Sequence, residues 1–413
     1  MPIFRAMKAK IGIITTWFER GAAHVSKAII DVIKDDFEVH IYARGGEVEA
    51  NHPSAWTHEH LHWGSTLPYA MKTHVDLPDF KKWLKNTAPD VLLFNEQHSW
   101  EVILWLKENS KIPIGAYIDY YTDDSREHFA LYDFLICNTR RHKMAFQDHP
   151  NAWYIPWGAD LGLFSPKKKE VQKRAFTFFH NAGMNPYRKG CDLVILAFAS
   201  MKEKDCKLII HAQVGPDVLE ATIRDMLNDK RITWIQEEVP APGLYHLGDV
   251  YVYPSRLDGI GLSLPEALAC GLPAIVPNEG PMNEFVFDGL NGKWVDVAKR
   301  WKREDNYFWP MNEVKVSALA EAMDEIALDK DQLALWKDRG ISFTQKHLNW
   351  HKNAAGLGTL LKAVKSKAAK PEAIDACKKY QSTLNPKLAL KMKLHRLLVK
   401  IGARKLKRMF TQA

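Results

Sequence analysis

VYVYPSRLDGIGLSLPEALACGLPAIVPNEG, residues 250–280, reads as a strand, a glycine-bearing loop, a short helix and a second strand. The β-branched and aromatic run from Val250 to Tyr253 stops at Pro254, which cannot donate into a ladder. Ser263 with Glu266 three residues later has the spacing of a capping box, Pro265 suits a first helical turn, and Gly271 suits the helix end. A second apolar run, LPAIVPN, follows at once. Two strands separated by one helix require a crossover connection, and a crossover makes them parallel.

The same alternation extends outward in both directions. Before this unit come FTFFHNAG (176–183), CKLIIHA (206–212) and ITWIQE (232–237) as strands, with CDLVILAFASMK (191–202) as a helix. Nearer the start, KIGIITTW, FEVHIYAR, PDVLLFNE and IPIGAYID read as strands, interleaved with the helical patterns HVSKAIIDVIKDD and WEVILWLKENS. Strands that alternate with helices of this length predict parallel sheets covered on both faces. The fold class is therefore α/β, with two similar Rossmann-like, doubly wound halves facing each other across a cleft and a helical extension at the end.

A chain of 413 residues is long for one core, in agreement with two halves. The polar, lysine-rich run 165–174 separates them, which predicts domains at 1–165 and 166–345, a helix crossing back over 346–375, and a basic tail over 376–413. Beyond Val297 the pattern reads as helical. Ligands of such sheets gather beyond the carboxyl ends of the strands, where the quoted loop lies.

Composition narrows the class. The chain is 46% hydrophobic and 26% charged, and no run reaches the roughly 18 apolar residues of a membrane span. Cys137, Cys191, Cys206, Cys270 and Cys377 are scattered singly, without the paired spacing of a zinc site or a disulfide framework, so a reducing cytoplasm is the expected compartment. The net charge of +8 is local. From Cys377 to Ala413 there are eleven Lys or Arg and no acid, which leaves 46 basic against 49 acidic residues in the body. In NPKLALKMKLHRLLVKIGARKLKRMF the bases interleave with Leu390, Leu394, Leu397, Leu398, Ile401 and Met409, the pattern of a cationic interfacial helix. A peripheral position on an anionic membrane surface is one reading, a solubilising extension is another, and nucleic-acid binding is a third that is not adopted.

Asp258 and Glu266 stand eight residues apart around Gly259 and Gly261. A cap alone needs no glycines ahead of it. Glycines allow the backbone to approach a ligand, helix N-termini attract phosphate, and carboxylates accept from sugar hydroxyls, so the combination points to a ligand with phosphate and sugar parts. Gly259-x-Gly261 with Glu279 twenty residues on imitates a nicotinamide-dinucleotide fingerprint, but Leu264 holds the third glycine position and the strand-to-glycine turn is too long.

The stretch resembles the donor-binding signature of the retaining GT-B glycosyltransferases of family 4. The likeness runs through Asp258-Gly-Ile-Gly-Leu, Glu266-Ala-Leu-Ala-Cys-Gly-Leu-Pro, Gly280, Glu284 and the closing Asp288-Gly-x-x-Gly292. YIPWGADLGLFSP, HNAGMNPYRKGCDLVILAF and NWHKNAAGL resemble further segments of the family, so the likeness spans about residues 155–355. It implies a nucleotide-diphosphate sugar as donor, a glycan or lipid-linked acceptor such as those of cell-surface polysaccharide or lipopolysaccharide synthesis, and hexosyl transfer with retention. It implies no metal or other cofactor.

By the same resemblance Glu266 would accept from ribose hydroxyls, Asp258 would face the transferred sugar, and Gly259, Ile260, Gly261 and Leu262 would line the sugar and diphosphate. Lys189 would grip the diphosphate, Gly183 would open the phosphate loop, and Gly21 would approach from the other domain. His98, just past the strand in LLFNEQHSW, is a candidate near the acceptor; His24 and Asp119 rank below it. Two residues depart from the family pattern. Asp258 replaces the usual Glu, and Met184 stands where an Arg is usual, with Arg188 the candidate to replace it. Read as a pair opening a helix, Arg188 and Lys189 oppose the helix dipole, which suggests an anion nearby. The alternative function is a non-catalytic nucleotide- or glycan-binding protein on the same fold. The loop 45–74, rich in His, Trp and Tyr, is the expected acceptor side.

Overall fold

The computed structural model describes residues 8–45, 55–66, 73–167 and 175–384. Seven parallel strands form the first sheet: β1 (Ala9–Thr15), β2 (Phe37–Ala43), β3 (Leu61–Trp63), β4 (Val91–Asn95), β5 (Ile114–Tyr117), β6 (Phe134–Cys137) and β7 (Ala152–Tyr154), in the order β3-β2-β1-β4-β5-β6-β7. The second sheet is built from β8 (Phe176–Gly183), β9 (Cys206–Ala212), β10 (Ile232–Gln236), β11 (Val250–Val252), β12 (Ala274–Pro277) and β13 (Gly292–Val295), in the order β10-β9-β8-β11-β12-β13. Its pairs are parallel as well. Both sheets reverse direction of winding beside their first strand, between β1 and β4 and between β8 and β11. This doubly wound order opens a crevice where the chain turns away on either side.

Central strands are buried on both faces, hence the near-continuous apolar runs: Val91–Asn95 and Phe134–Cys137 are buried throughout. After β13 the structure departs from the helical reading. Residues 297–314 form an antiparallel pair, β14 (Val297–Trp301) and β15 (Met311–Val314), and helices resume only at Val316. The connection between them carries Tyr307, Phe308 and Trp309 onto the first domain: Tyr307 Oη donates to the Asp119 carbonyl at 2.8 Å, Phe308 N to the Tyr121 carbonyl at 2.9 Å, and Trp309 Nε1 to Tyr121 Oη at 2.7 Å. Strands this short, separated by a polar turn, leave little periodicity to read.

The chain then returns to the first domain. Trp350 is buried, lies with its ring 4.5 Å from that of Trp157, and donates from Nε1 to the Ala28 carbonyl at 2.8 Å. The helix Pro371–Thr383 runs through the boundary expected at 376 and packs on the first domain. Cys377 on it is fully buried, and Gln381 Oε1 accepts from Trp100 N at 2.8 Å. The opening residues of the expected basic tail therefore belong to the globular body; its remainder, 385–413, lies outside the described residues.

Candidate active site

The loops that follow β8 and β11 meet at the switch point of the second sheet. After β8 the chain makes one short helix, Pro186–Lys189, whose N-cap Asn185 side chain accepts from Arg188 N at 3.0 Å. Gly190 then takes a left-handed φ of +75°, and any Cβ there would meet the Pro254 carbonyl oxygen at 2.3 Å. Arg188 and Lys189 close this single turn and stand immediately before the ten-residue helix Cys191–Ser200, whose N-cap is Gly190, so the positive end of that longer helix faces them. The anion that offsets this dipole is Asp258.

Asp258 is 5% exposed and has both oxygens engaged. Oδ1 accepts from Arg188 and from Lys189, each at 2.7 Å, and Oδ2 accepts from Tyr253 Oη at 2.6 Å. Burial alone would push this carboxyl up; the Lys189 ammonium and the Arg188 guanidinium overcome it and hold the group far below the usual range. Burial lowers Lys189 to about 8, with the Asp258 charge opposing. Beneath this cluster Arg256, also buried, donates to Asp192 at 2.7 Å from two nitrogens and to Glu313 at 3.0 and 2.8 Å, which pins the loop from behind.

Glu266 sits on the helix Ser263–Ala269. No side-chain cap bond forms at that helix start, so the capping-box reading is corrected: Ser263 Oγ accepts from Tyr251 Oη at 3.0 Å and Glu266 Oε2 from Tyr245 Oη at 2.6 Å. Tyr251 on β11 and Tyr245 on the short turn before it take the place of the local cap. Burial raises the Glu266 carboxyl to about 7, against the Tyr245 bond and the Lys189 charge. Lys189 is therefore coupled to both acids.

Gly259, Ile260, Gly261 and Leu262 join the two acids. Gly261 has φ +82°, where a side chain would strain the backbone, while Ile260 is buried in the core and Leu262 is the helix N-cap. A Cβ on Gly259 would fall 1.6 Å from Asp119 Oδ1 of the first domain. Gly21, the first residue of the helix Gly21–Ile33, reaches across from the other side: a Cβ there would lie 3.7 Å from Leu262 Cδ1. Gly183 has φ +54° and open space where a side chain would project, and Met184 is exposed. His98 lies on the first-domain side, its ring stacked 4.1 Å from Tyr120, which stacks 5.3 Å from Tyr307. This aromatic stack leads toward the glycine loop, since Tyr307 Oη donates to the Asp119 carbonyl. His24 pairs with Glu19 at 2.6 Å.

Residues that motif reading missed hold the cleft together. Thr139 caps the helix Arg140–Ala145, whose first turn faces the second domain. The Arg141 guanidinium donates to the carbonyls of Asp258, Gly259 and Gly280, the last at 2.6 Å. Glu284 accepts from Arg140 N at 2.5 Å and Arg141 N at 3.0 Å. His142 is fully buried, and its Nε2 lies 3.2 Å from the Gly259 carbonyl. A carbonyl only accepts, so Nε2 carries the proton, Nδ1 accepts from Tyr121 Oη at 3.1 Å, and Tyr121 accepts from Trp309. Burial, with Arg141 beside it, holds His142 well below its ordinary pKa and hence neutral. Arg141 and His142 lie over 110 residues from the loop in sequence, with no local motif to announce them.

Residues 164–304 match the model of the family described as glycosyl transferases group 1. This stretch of the chain is similar to that family. Among its relatives, the GDP-mannose-dependent alpha-(1-6)-phosphatidylinositol monomannoside mannosyltransferase of Mycobacterium tuberculosis is 26% identical over 258 residues, 55% of this chain and 60% of that one. The lipopolysaccharide core biosynthesis mannosyltransferase LpsB of Rhizobium meliloti is 25% identical over 236 residues, 53% of this chain and 63% of that one. The match thus spans about three fifths of the length of these relatives. The sucrose-phosphate synthase of Thermosynechococcus elongatus superposes with a TM-score of 0.67 at 16% identity, covering 86% of this chain and 98% of that one. The chain described here has the GT-B fold.

Proposed function

We propose that this chain transfers a hexose from a nucleotide-diphosphate sugar to a glycan or lipid-linked acceptor, with retention of anomeric configuration. One observation carries the proposal: Lys189 at the end of one strand loop is coupled to both Asp258 and Glu266 of the next, at the switch point of the sheet. A cation suited to phosphate beside carboxylates suited to hydroxyls supports that reading. The relatives are named for mannosyl transfer to lipid-bound or lipopolysaccharide acceptors, two of the several sugars and acceptors this site chemistry allows.

In the reaction the bond from the anomeric carbon to the diphosphate breaks as the acceptor oxygen bonds to that carbon from the same face, and its proton passes to a phosphate oxygen. Charge grows on the departing diphosphate. Arg188, Lys189 and the amides of 259–262 meet it, and one such donor is worth roughly 3 kcal/mol in comparable sites. Fixed cations in this place do the work of a metal, so the transfer is proposed to need none. Glu266 orients the ribose and Asp258 holds both cations in place while facing the sugar.

The non-catalytic alternative draws on Met184 in place of the usual Arg and on the saturated Asp258. A screen of GDP-, UDP- and ADP-sugars for binding and for slow hydrolysis separates the two readings. Turnover that survives in both Glu266→Ala and Lys189→Ala would reject the site; binding without turnover for every donor and acceptor tried would favour the alternative.

No described helix is long and apolar enough to cross a membrane. A cytoplasmic enzyme held on the inner membrane face by the tail is the proposed location. Co-sedimentation with anionic vesicles, comparing the full chain with one ending at Leu384, tests this; equal binding by both removes it.

A further inference from the structure

Far from the cleft, the outer edge of the first sheet gathers imidazoles. Alternation along β2 puts Glu38, His40 and Tyr42 on one face. Parallel pairing aligns Tyr42 with His62 and Ile41 with Leu61, so His60 and His62 stand beside His40 and Tyr42. The His40 and His60 rings stack 4.4 Å apart, Glu38 Oε1 lies 2.6 Å from His40 Nε2, and His58 Nδ1 accepts from His60 N at 3.2 Å. A cavity of about 400 Å³ opens between this face and the helix Leu77–Thr87. Asp79 on that helix takes Tyr42 Oη at 2.8 Å and His62 Nε2 at 3.0 Å, which leaves the other three side chains facing one another.

One ligand atom each from Glu38, His40 and His60 falls within 4.8 Å of the other two, the only such group of three among the described residues. Tetrahedral zinc with bonds near 2.1 Å holds its ligand atoms roughly 3.3 Å apart, a spacing that side-chain rotation alone reaches from here. Two imidazoles and one carboxylate suit a borderline divalent ion, and a hard ion such as magnesium would want more oxygens. We propose that Glu38, His40 and His60 form a divalent transition-metal site, zinc foremost, with water in the fourth place, that clamps the three-residue edge strand β3 onto β2. Glu38 and His40 lie between the start and the middle of β2, away from its cleft-facing carboxyl end, so the ion acts on the fold and stands outside the transfer reaction.

The test is calorimetric titration of zinc chloride into the chelator-treated full chain, with cobalt(II) absorption as a second readout. About one ion per chain, a higher thermal midpoint with zinc, and a tetrahedral cobalt spectrum are expected. His60→Gln, on the exposed edge, and His40→Gln should each weaken binding by roughly tenfold or more. His347→Gln, in the other domain, should leave it unchanged. Circular dichroism of each variant checks folding; if His40→Gln does not fold, His60→Gln alone decides. No stoichiometric uptake, or equal uptake by His60→Gln and the parent chain, would overturn the proposal.

Discussion

Gly259 and Asp119 meet across the cleft with no room for a side chain between them: a Cβ on Gly259 would lie 1.6 Å from Asp119 Oδ1. The two belong to different domains, so the contact sets how closely the domains approach over the candidate donor site. Gly259→Ala should force Asp119 aside and lower kcat/KM by at least about tenfold, while Asp119→Ala combined with Gly259→Ala should recover part of the loss, since contacting pairs couple by roughly 0.5–3 kcal/mol. Steady-state kinetics of the two single variants and the double variant close the cycle. Strict additivity would mean the contact does not act as described.

The pH profile follows from Glu266 and Lys189. Below about 7 the Glu266 carboxyl is protonated and accepts poorly from ribose hydroxyls, and above about 8 Lys189 loses the charge that meets the diphosphate. A bell-shaped kcat/KM with its limbs near these values is expected for the free protein. Glu266→Gln should flatten the acid limb and leave the alkaline one.

The same shift makes a stability prediction of definite sign. Glu266 has a folded pKa above its unfolded value of 4.5, so its contribution is fully present below that value and lost as pH rises through about 7. At pH 8 the parent chain carries a buried ionised group, and Glu266→Gln should be more stable than it by up to about 3 kcal/mol. Urea denaturation of both at pH 5 and pH 8 gives the difference, which should shrink at the lower pH.

Lys189→Ala removes a charge on the growing diphosphate, and kcat should fall by roughly 100- to 1000-fold. Arg188→Ala should cost less if Lys189 is the nearer group, because Lys189 is the more deeply buried of the two. Comparable losses would make them equal partners.

Tyr121→Phe breaks the chain Trp309, Tyr121, His142, Gly259 in the middle. It leaves the buried His142 Nδ1 without its donor and Trp309 Nε1 without its acceptor, at a cost of about 1–3 kcal/mol. Chemical denaturation measures this directly. A larger fall in donor affinity than in stability would show that the chain also orients the glycine loop.

Much of this was legible before any coordinates. Alternating apolar runs and helical patterns dictate the doubly wound sheets, because a parallel strand pair admits little else than a helical crossover. The loop carrying Asp258 and Glu266 was readable because strand, glycines, helix and strand are contiguous. What was misread was short or coupled from afar. β14 and β15 are too brief for a period, and Ser263 and Glu266 have the spacing of a cap but bond to Tyr251 and Tyr245 from neighbouring elements.

The sequence by itself determined the class of sheet, the two halves and the chemistry gathered in one loop, since all of these depend on residues a few positions apart. Tertiary structure alone decided that Arg188 and Lys189 saturate Asp258, that Arg141 and His142 grip the glycine loop from the other domain, and that His40 and His60, twenty residues apart, stack side by side. Each of those contacts exists only because strand pairing and domain closure bring distant segments together. No local spacing encodes the distance between two surfaces that touch only once the chain has folded.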